Sequence, residues 1–162
     1  TDMDGKIFIS EEEAQSYLDA FFSNFQGYVR YGGWLWNQLL AGKPIRSETG
    51  RTWWIPADHL GLNKAKNYPV QSLASDIVIL ALRALFGILR KEGWKSRIIG
   101  EVHDSVLLET TKKELQALIK LVKSVLENPE TEKYFGFKLR VPLRISVQQG
   151  VNWRELEATM AV

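Results

Sequence analysis

Gly100-Glu101-Val102-His103-Asp104-Ser105-Val106-Leu107-Leu108 is the stretch on which the reading of this chain turns. β-prone runs flank a His-Asp dipeptide, which predicts a hairpin of Arg97–Val102 and Ser105–Thr110 with His103-Asp104 as its turn. An acid at a sheet tip can hold a metal ion. A His-Asp dipeptide is also an ordinary turn, so the flanking sequence has to carry the inference.

Working outward, Thr111-Lys112-Lys113-Glu114 reads as a capping box opening a helix. Its apolar face is Leu115, Leu118, Ile119, Val122, Val125 and Leu126, and Asn128-Pro129 ends it. Arg140 to Gln148 reads as a last strand, with Leu143, Ile145 and Val147 alternating against Pro142, Arg144 and Ser146, and Gly150 starts a polar tail. Upstream of the hairpin, a long helix is predicted from about Pro69 to Glu92, stopped by Gly93. Between Ile77 and Leu82 it is apolar on every side, which places it inside the molecule.

At the other end, Ser10-Glu11-Glu12-Glu13 is a capping box for a helix beginning at Glu11. Ala14, Tyr17, Leu18, Phe21, Phe22 and Phe25 form its apolar face, and Gly27 is expected to end or bend it. A second helix over Tyr28–Leu40 stops at Gly42-Lys43-Pro44, and the pair reads as a helical hairpin. Residues 45–55 read as a β-hairpin turning at Thr49-Gly50 and closed by Pro56, with Trp53 and Trp54 as packing residues. Leu60 to Lys66 reads as a short polar connection. The whole is an α+β fold, long helices packed on a small antiparallel sheet, with residues 1–66 and 67–162 as its two parts acting as one cooperative unit.

With 162 residues, 45% of them hydrophobic, the chain can bury a real core, and general disorder is excluded. The net charge of +2 permits nucleic-acid binding without demanding it, so any basic surface is local. No cysteine and only two histidines are present, which excludes disulfides, zinc–thiolate sites and a histidine-rich metal centre. A metal here would be held by oxygen. The longest apolar run, Ile77–Leu89, is broken by Arg83 and falls short of a membrane span, and residues 1–6 lack the pattern of a secretion signal. The expectation is a soluble cytoplasmic protein. Thr1 fits removal of an initiator Met, proteolysis or protein splicing equally.

Asn67-Tyr68-Pro69-Val70-Gln71-Ser72-Leu73-Ala74-Ser75-Asp76, followed 25 residues later by Glu101-Val102-His103-Asp104, resembles the C-terminal part of family A DNA polymerases. The second stretch is similar to that family's motif C. Further matches fall in the same order: Glu13-Ala14-Gln15, Gly50-Arg51 followed by Pro56, and Val141-Pro142-Leu143 leading to Gly150-Val151-Asn152-Trp153. Ordered matches at family-like spacing are far more specific than any one of them. The family's motif A, with its metal-binding aspartate, and its motif B helix have no counterpart among these residues. The resemblance therefore implies the end of the fingers (1–66) and the C-terminal palm (67–162) of a polymerase.

It also implies roles. Asp104 is the metal ligand, and His103 lies by the primer terminus. Asn67 and Gln71 touch template and primer, while Arg51, Lys64 and Lys66 are phosphate contacts. Without the resemblance, Asn67 reads as a helix cap, Gln71 as an exposed first-turn residue and the three cations as solvated charges. Two departures stand out: Ser105 follows the aspartate where many relatives have glutamate, and Asn63 stands where the family often has arginine. Glu101 could compensate for the first, and Asp76 reads as a structural hydrogen-bonding acid.

Nucleotide addition needs two divalent ions about 4 Å apart, held by carboxylates from more than one place. Asp104 alone cannot supply them. The chain is therefore expected to be the C-terminal subunit of a split, phage-like DNA polymerase, inert alone. Its partners are an N-terminal chain bearing motifs A and B, primer–template DNA and dNTP, with Mg2+ shared between chains. A catalytically silent DNA-binding or structural remnant is the alternative, and an independent metal-dependent nuclease using Asp104 and His103 a distant third.

Overall fold

A computed structural model describes residues 9–55 and 61–158. The expectations at Pro56 and before Ile9 lie outside them. The described residues are α+β, as the sequence predicts. They comprise helices α1 (Glu11–Asn24), α2 (Gln26–Leu40), α3 (Leu62–Lys91), α4 (Leu115–Glu127) and α5 (Thr131–Phe135). The strands are β1 (Ile45–Arg46), β2 (Thr52–Trp53), β3 (Arg97–Val102), β4 (Ser105–Glu109), β5 (Gln148–Gln149) and β6 (Glu157–Ala158). The expected small sheet is three separate antiparallel pairs, β1–β2, β3–β4 and β5–β6.

Two compact units divide the chain: one holds α1, α2, β1, β2 and α3 as far as Pro69, the other the turn Ser47–Arg51 and everything from Val70. In the first, Ser10 caps α1 by accepting from the Glu13 amide at 3.1 Å. The break between α1 and α2 falls at Phe25 (φ −112°, ψ 52°), not at Gly27, which lies inside α2. Phe21 and Phe22 meet the Tyr28 ring across that joint, yet no residue of α1 is buried, so the apolar face that a helical hairpin was expected to cover stays uncovered. Gly42, at φ +65°, follows α2 and turns the chain into β1.

The core of this unit joins Leu35, Leu39, Ile45 and Ala65, with Trp53 and Tyr68 packed against it. Only one tryptophan of the pair packs. Trp54 is 73% exposed, because successive residues along an extended strand point to opposite sides.

The start of α3 corrects the sequence reading. Leu62–Lys66 is helical rather than a connection, and Pro69 lies inside the helix instead of opening it. An interior proline removes one backbone hydrogen bond. Burial of Ala65, and of the Tyr68 ring on Trp53 at 6.0 Å between centroids, opposes that loss. At its far end α3 closes as expected: Gly93 sits at φ +72° and the Trp94 amide donates to the Leu89 carbonyl at 3.0 Å.

In the second unit Leu85, Leu89, Leu118 and Val122 form the core, with Trp94, Ile98, Leu108 and Ile145 packed on it. The buried side of α4 is the one its apolar spacing predicts. α3 is less enclosed than its composition suggests, since Ile79 is 48% and Phe86 53% exposed. By length and composition alone α3 is apolar enough to cross a membrane, contrary to the sequence estimate, with a third of its most apolar window buried.

Two further expectations fail for reasons of partnership. The Thr111 hydroxyl accepts from the Glu114 amide at 3.3 Å, but the Glu114 carboxylate does not complete the box and α4 starts only at Leu115. Instead that carboxylate accepts from the Lys95 amide at 3.0 Å, the Ser96 amide at 2.8 Å and the Ser96 hydroxyl at 2.5 Å, tethering the loop before β3. Donation by the Ser96 hydroxyl and Lys95 amide holds its pKa below the ordinary carboxylate value.

Residues 140–147 keep their alternation, Leu143, Ile145 and Val147 being half-buried, but they form no strand. A strand needs a neighbouring backbone, and among the described residues the Ile145 amide finds the Glu127 carboxylate instead, at 3.1 Å. The tail is not simply polar, for Asn152 caps a 3-10 turn at Trp153–Glu155 before β6 returns to β5.

Candidate functional site

β3 and β4 pair from Arg97↔Glu109 to Val102↔Ser105, with an irregularity between Ile98 and Gly100. This register leaves His103 and Asp104 as the two residues of the turn. His103 has φ +58° and is the one non-glycine with positive φ among the described residues. Such a conformation costs an L-residue about 1–2 kcal/mol. The ladder on either side holds it there, and strain of this kind concentrates at functional turns.

Both side chains of the turn are exposed, as are Glu101 and Ser105. Among the described residues the Asp104 carboxylate has neither a hydrogen-bond nor an ion-pair partner. An unpartnered carboxylate at a hairpin tip suits a hard divalent cation, which takes oxygen ligands and keeps several waters. It fills only part of such a shell. No group of three or more His, Asp or Glu side chains that could hold a metal occurs among the described residues. The Ser105 hydroxyl adds a dipole but no charge.

α3 carries the expected amides. Asn67 and Gln71 are both exposed and four residues apart in α3, and Lys64, three residues before Asn67, is exposed too. Lys66 lies across the helix, its Nζ 4.3 Å from the centroid of the Tyr28 ring. The end of its side chain passes close to Gly32.

Arg51 is not a free cation. Its guanidinium pairs with Asp76 Oδ1, and Thr49 donates to Oδ2 of the same carboxylate at 2.5 Å. The Ser47 and Thr49 hydroxyls are bonded at 2.7 Å, and the Gly50 amide donates to the Ser47 carbonyl at 3.0 Å, with Gly50 at φ +89°. Asp76 is thus the structural acid the sequence suggests, its side chain only 13% exposed while that of Arg51 remains 50% exposed. What the sequence did not disclose is its partner, 25 residues away. A neighbouring feature also went unread: Arg83, seven residues after Asp76 and therefore on the same side of α3, lies over the Tyr134 ring at 5.1 Å. Helical periodicity could have paired Asp76 with Arg83, but not with Tyr134.

A concavity of about 710 Å³ in the second unit lies at the Arg97–Glu109 end of the hairpin. That is roughly 20 Å along β3 from the turn at about 3.3 Å per residue. It does not contain Asp104.

The family model for DNA polymerase family A matches residues 1–155. DNA polymerase I of Bacillus caldotenax is 29% identical over 155 residues, covering 90% of this chain and 17% of that protein. DNA polymerase I of Caldicellulosiruptor bescii is 30% identical, with 92% and 18% covered. Among solved structures, the POL domain of Pol1 from M. smegmatis, in complex with DNA primer–template and dNTP, matches with a TM-score of 0.70 and 27% identity. That match covers 84% of this chain and 24% of the other. The chain spans less than a fifth of the length of these curated relatives. Motif order, hairpin and relatives agree: the chain belongs to DNA polymerase family A.

Proposed function

We propose that this chain is the C-terminal subunit of a split DNA-directed DNA polymerase, contributing Asp104 to a two-metal nucleotidyl-transfer site completed by a second chain with motifs A and B. The observation that carries the reading is the Asp104 carboxylate, exposed and unpartnered on a strained turn, in a family A chain where no group of three or more metal-ligating side chains occurs among the described residues. Two divalent ions, Mg2+ by its preference for oxygen, would supply the charge that activates a primer 3′-hydroxyl and neutralises a triphosphate.

In this reading Asp104 takes one ligand position, and His103, held outward by its backbone, contacts the primer terminus. Residues 1–66 are the end of the fingers and 67–162 the C-terminal palm. Asn67 and Gln71 contact primer and template through their amides, with Lys64 beside them on phosphate. Lys66 and Arg51 contact phosphate with the N–H groups that Tyr28 and Asp76 leave unused. The protein acts in the cytoplasm of a bacterial or phage-infected cell.

Ser105, neutral where many relatives carry an acid, favours a second reading: a remnant that binds DNA without chemistry. The two separate on Asp104→Ala, assayed by primer extension with the partner chain present. Loss of one preorganised charge group costs about 100- to 1000-fold in rate, and the loss here is expected at the upper end. Extension within about threefold of wild type would reject the catalytic reading.

A further inference from the structure

In addition to the Asp104 turn, the second unit contains a concavity of about 500 Å³ lined by Arg51, Asp76, Ile79, Arg83, Tyr134 and Phe135 among others. Its two guanidiniums come from the turn Ser47–Arg51 and from α3, and each is oriented by a different neighbour. Asp76 holds Arg51, and the Tyr134 ring supports Arg83. Asp76 has both oxygens occupied by Thr49 and Arg51, so its charge is spent on Arg51 and the concavity is left with one uncompensated positive charge. A guanidinium is a planar fork matched to phosphate oxygens, and a cleft concentrates the field of the charges that line it.

The concavity does not face the way Gln71 does. Asp76 lies five residues after Gln71, which rotates it by roughly 140° about the helix axis. One phosphate cannot be shared by both sides.

We propose that Arg51 and Arg83 form a phosphodiester-binding subsite for a nucleic-acid strand, separate from the amide contacts of Asn67 and Gln71, with Asp76 and Tyr134 as its positioning residues. One net positive charge matches a single phosphodiester, whereas the triphosphate of a dNTP would stay largely uncompensated. The inference rests on the reading of the chain as a DNA-handling polymerase subunit.

Its test is the affinity of the reconstituted complex for labelled primer–template as a function of salt, for wild type, Arg83→Gln, Arg83→Lys and Gln71→Ala. Arg83→Gln is expected to weaken binding several-fold, alike for every sequence, and to lower the slope of log K against log salt by about one. Arg83→Lys keeps the charge and should keep the slope, which separates charge from folding. An unchanged slope in Arg83→Gln, with Gln71→Ala weakened, would overturn the subsite while sparing the polymerase reading. A change confined to the KM for dNTP would overturn it in favour of a nucleotide site. No binding of primer–template by wild type would overturn both.

Discussion

Asp76 and Asp104 belong to the same unit and have the same chemistry, but their surroundings assign them opposite work. Asp76 is nearly enclosed, with one oxygen on Arg51 and the other on Thr49. It fixes the turn Ser47–Arg51 onto α3. Asp104 sits in the open on a two-residue turn, without a partner among the described residues, beside a histidine held at φ +58°. An acid whose lone pairs are already used inside the protein stabilises the fold. One left bare on a strained tip is available to something outside it, which is why only Asp104 is proposed as a metal ligand.

That contrast can be broken by removing each acid in turn. Asp76→Ala leaves the Thr49 hydroxyl and the Arg51 guanidinium without their acceptor, and should destabilise the chain by about 1–2 kcal/mol; the half-exposed Arg51 recovers some hydration. Asp104→Ala, by comparison, should shift stability by less than about 0.5 kcal/mol, as at other exposed sites without partners. Urea unfolding of both variants measures this. Equal losses would erase the distinction.

A smaller effect sharpens the strained side of the comparison. His103→Gly removes the Cβ from the positive-φ position and should stabilise the chain by up to about 1 kcal/mol, the relief of strain being offset by glycine's greater backbone freedom. Extension by the assembled enzyme should fall at the same time. A variant both more stable and fully active would show that His103 is only a turn residue.

Much of this arrangement is local, and local arrangements are legible. Ser10 caps its helix through a residue three positions on, the face of α4 repeats with the helical period, and β3 and β4 are joined by two residues. The unread parts depend on who else is present. Pro69 reads as a helix start until Ala65 and Tyr68 are seen to pack on the far side of it. Glu114 reads as half of a capping box, yet three donors from Lys95 and Ser96 claim its carboxylate. Residues 140–147 have the alternation of a strand but no backbone to pair with among those described. At the site, Asp104 could be singled out from its motif and the resemblance. The Arg51–Asp76 pair and Arg83 on Tyr134 join distant segments, which no local spacing encodes.

Glu114 extends the comparison to pH with the smallest effect. Its folded pKa lies below the ordinary value, so the stability it contributes is complete above the ordinary carboxylate range and is lost as pH falls through the folded value. The melting-temperature gap between wild type and Glu114→Gln should therefore be widest near about pH 6 and shrink as the pH falls below the ordinary carboxylate range. A gap that stays constant would mean the carboxylate's charge is not what tethers Ser96.

The most direct test of the half-site is a mixing experiment with Mg2+, dNTP and a labelled primer–template. No extension is expected from this chain alone, none from an N-terminal chain carrying motifs A and B alone, and extension when the two are combined. Extension by this chain on its own, at a rate comparable to the mixture, would contradict the half-site.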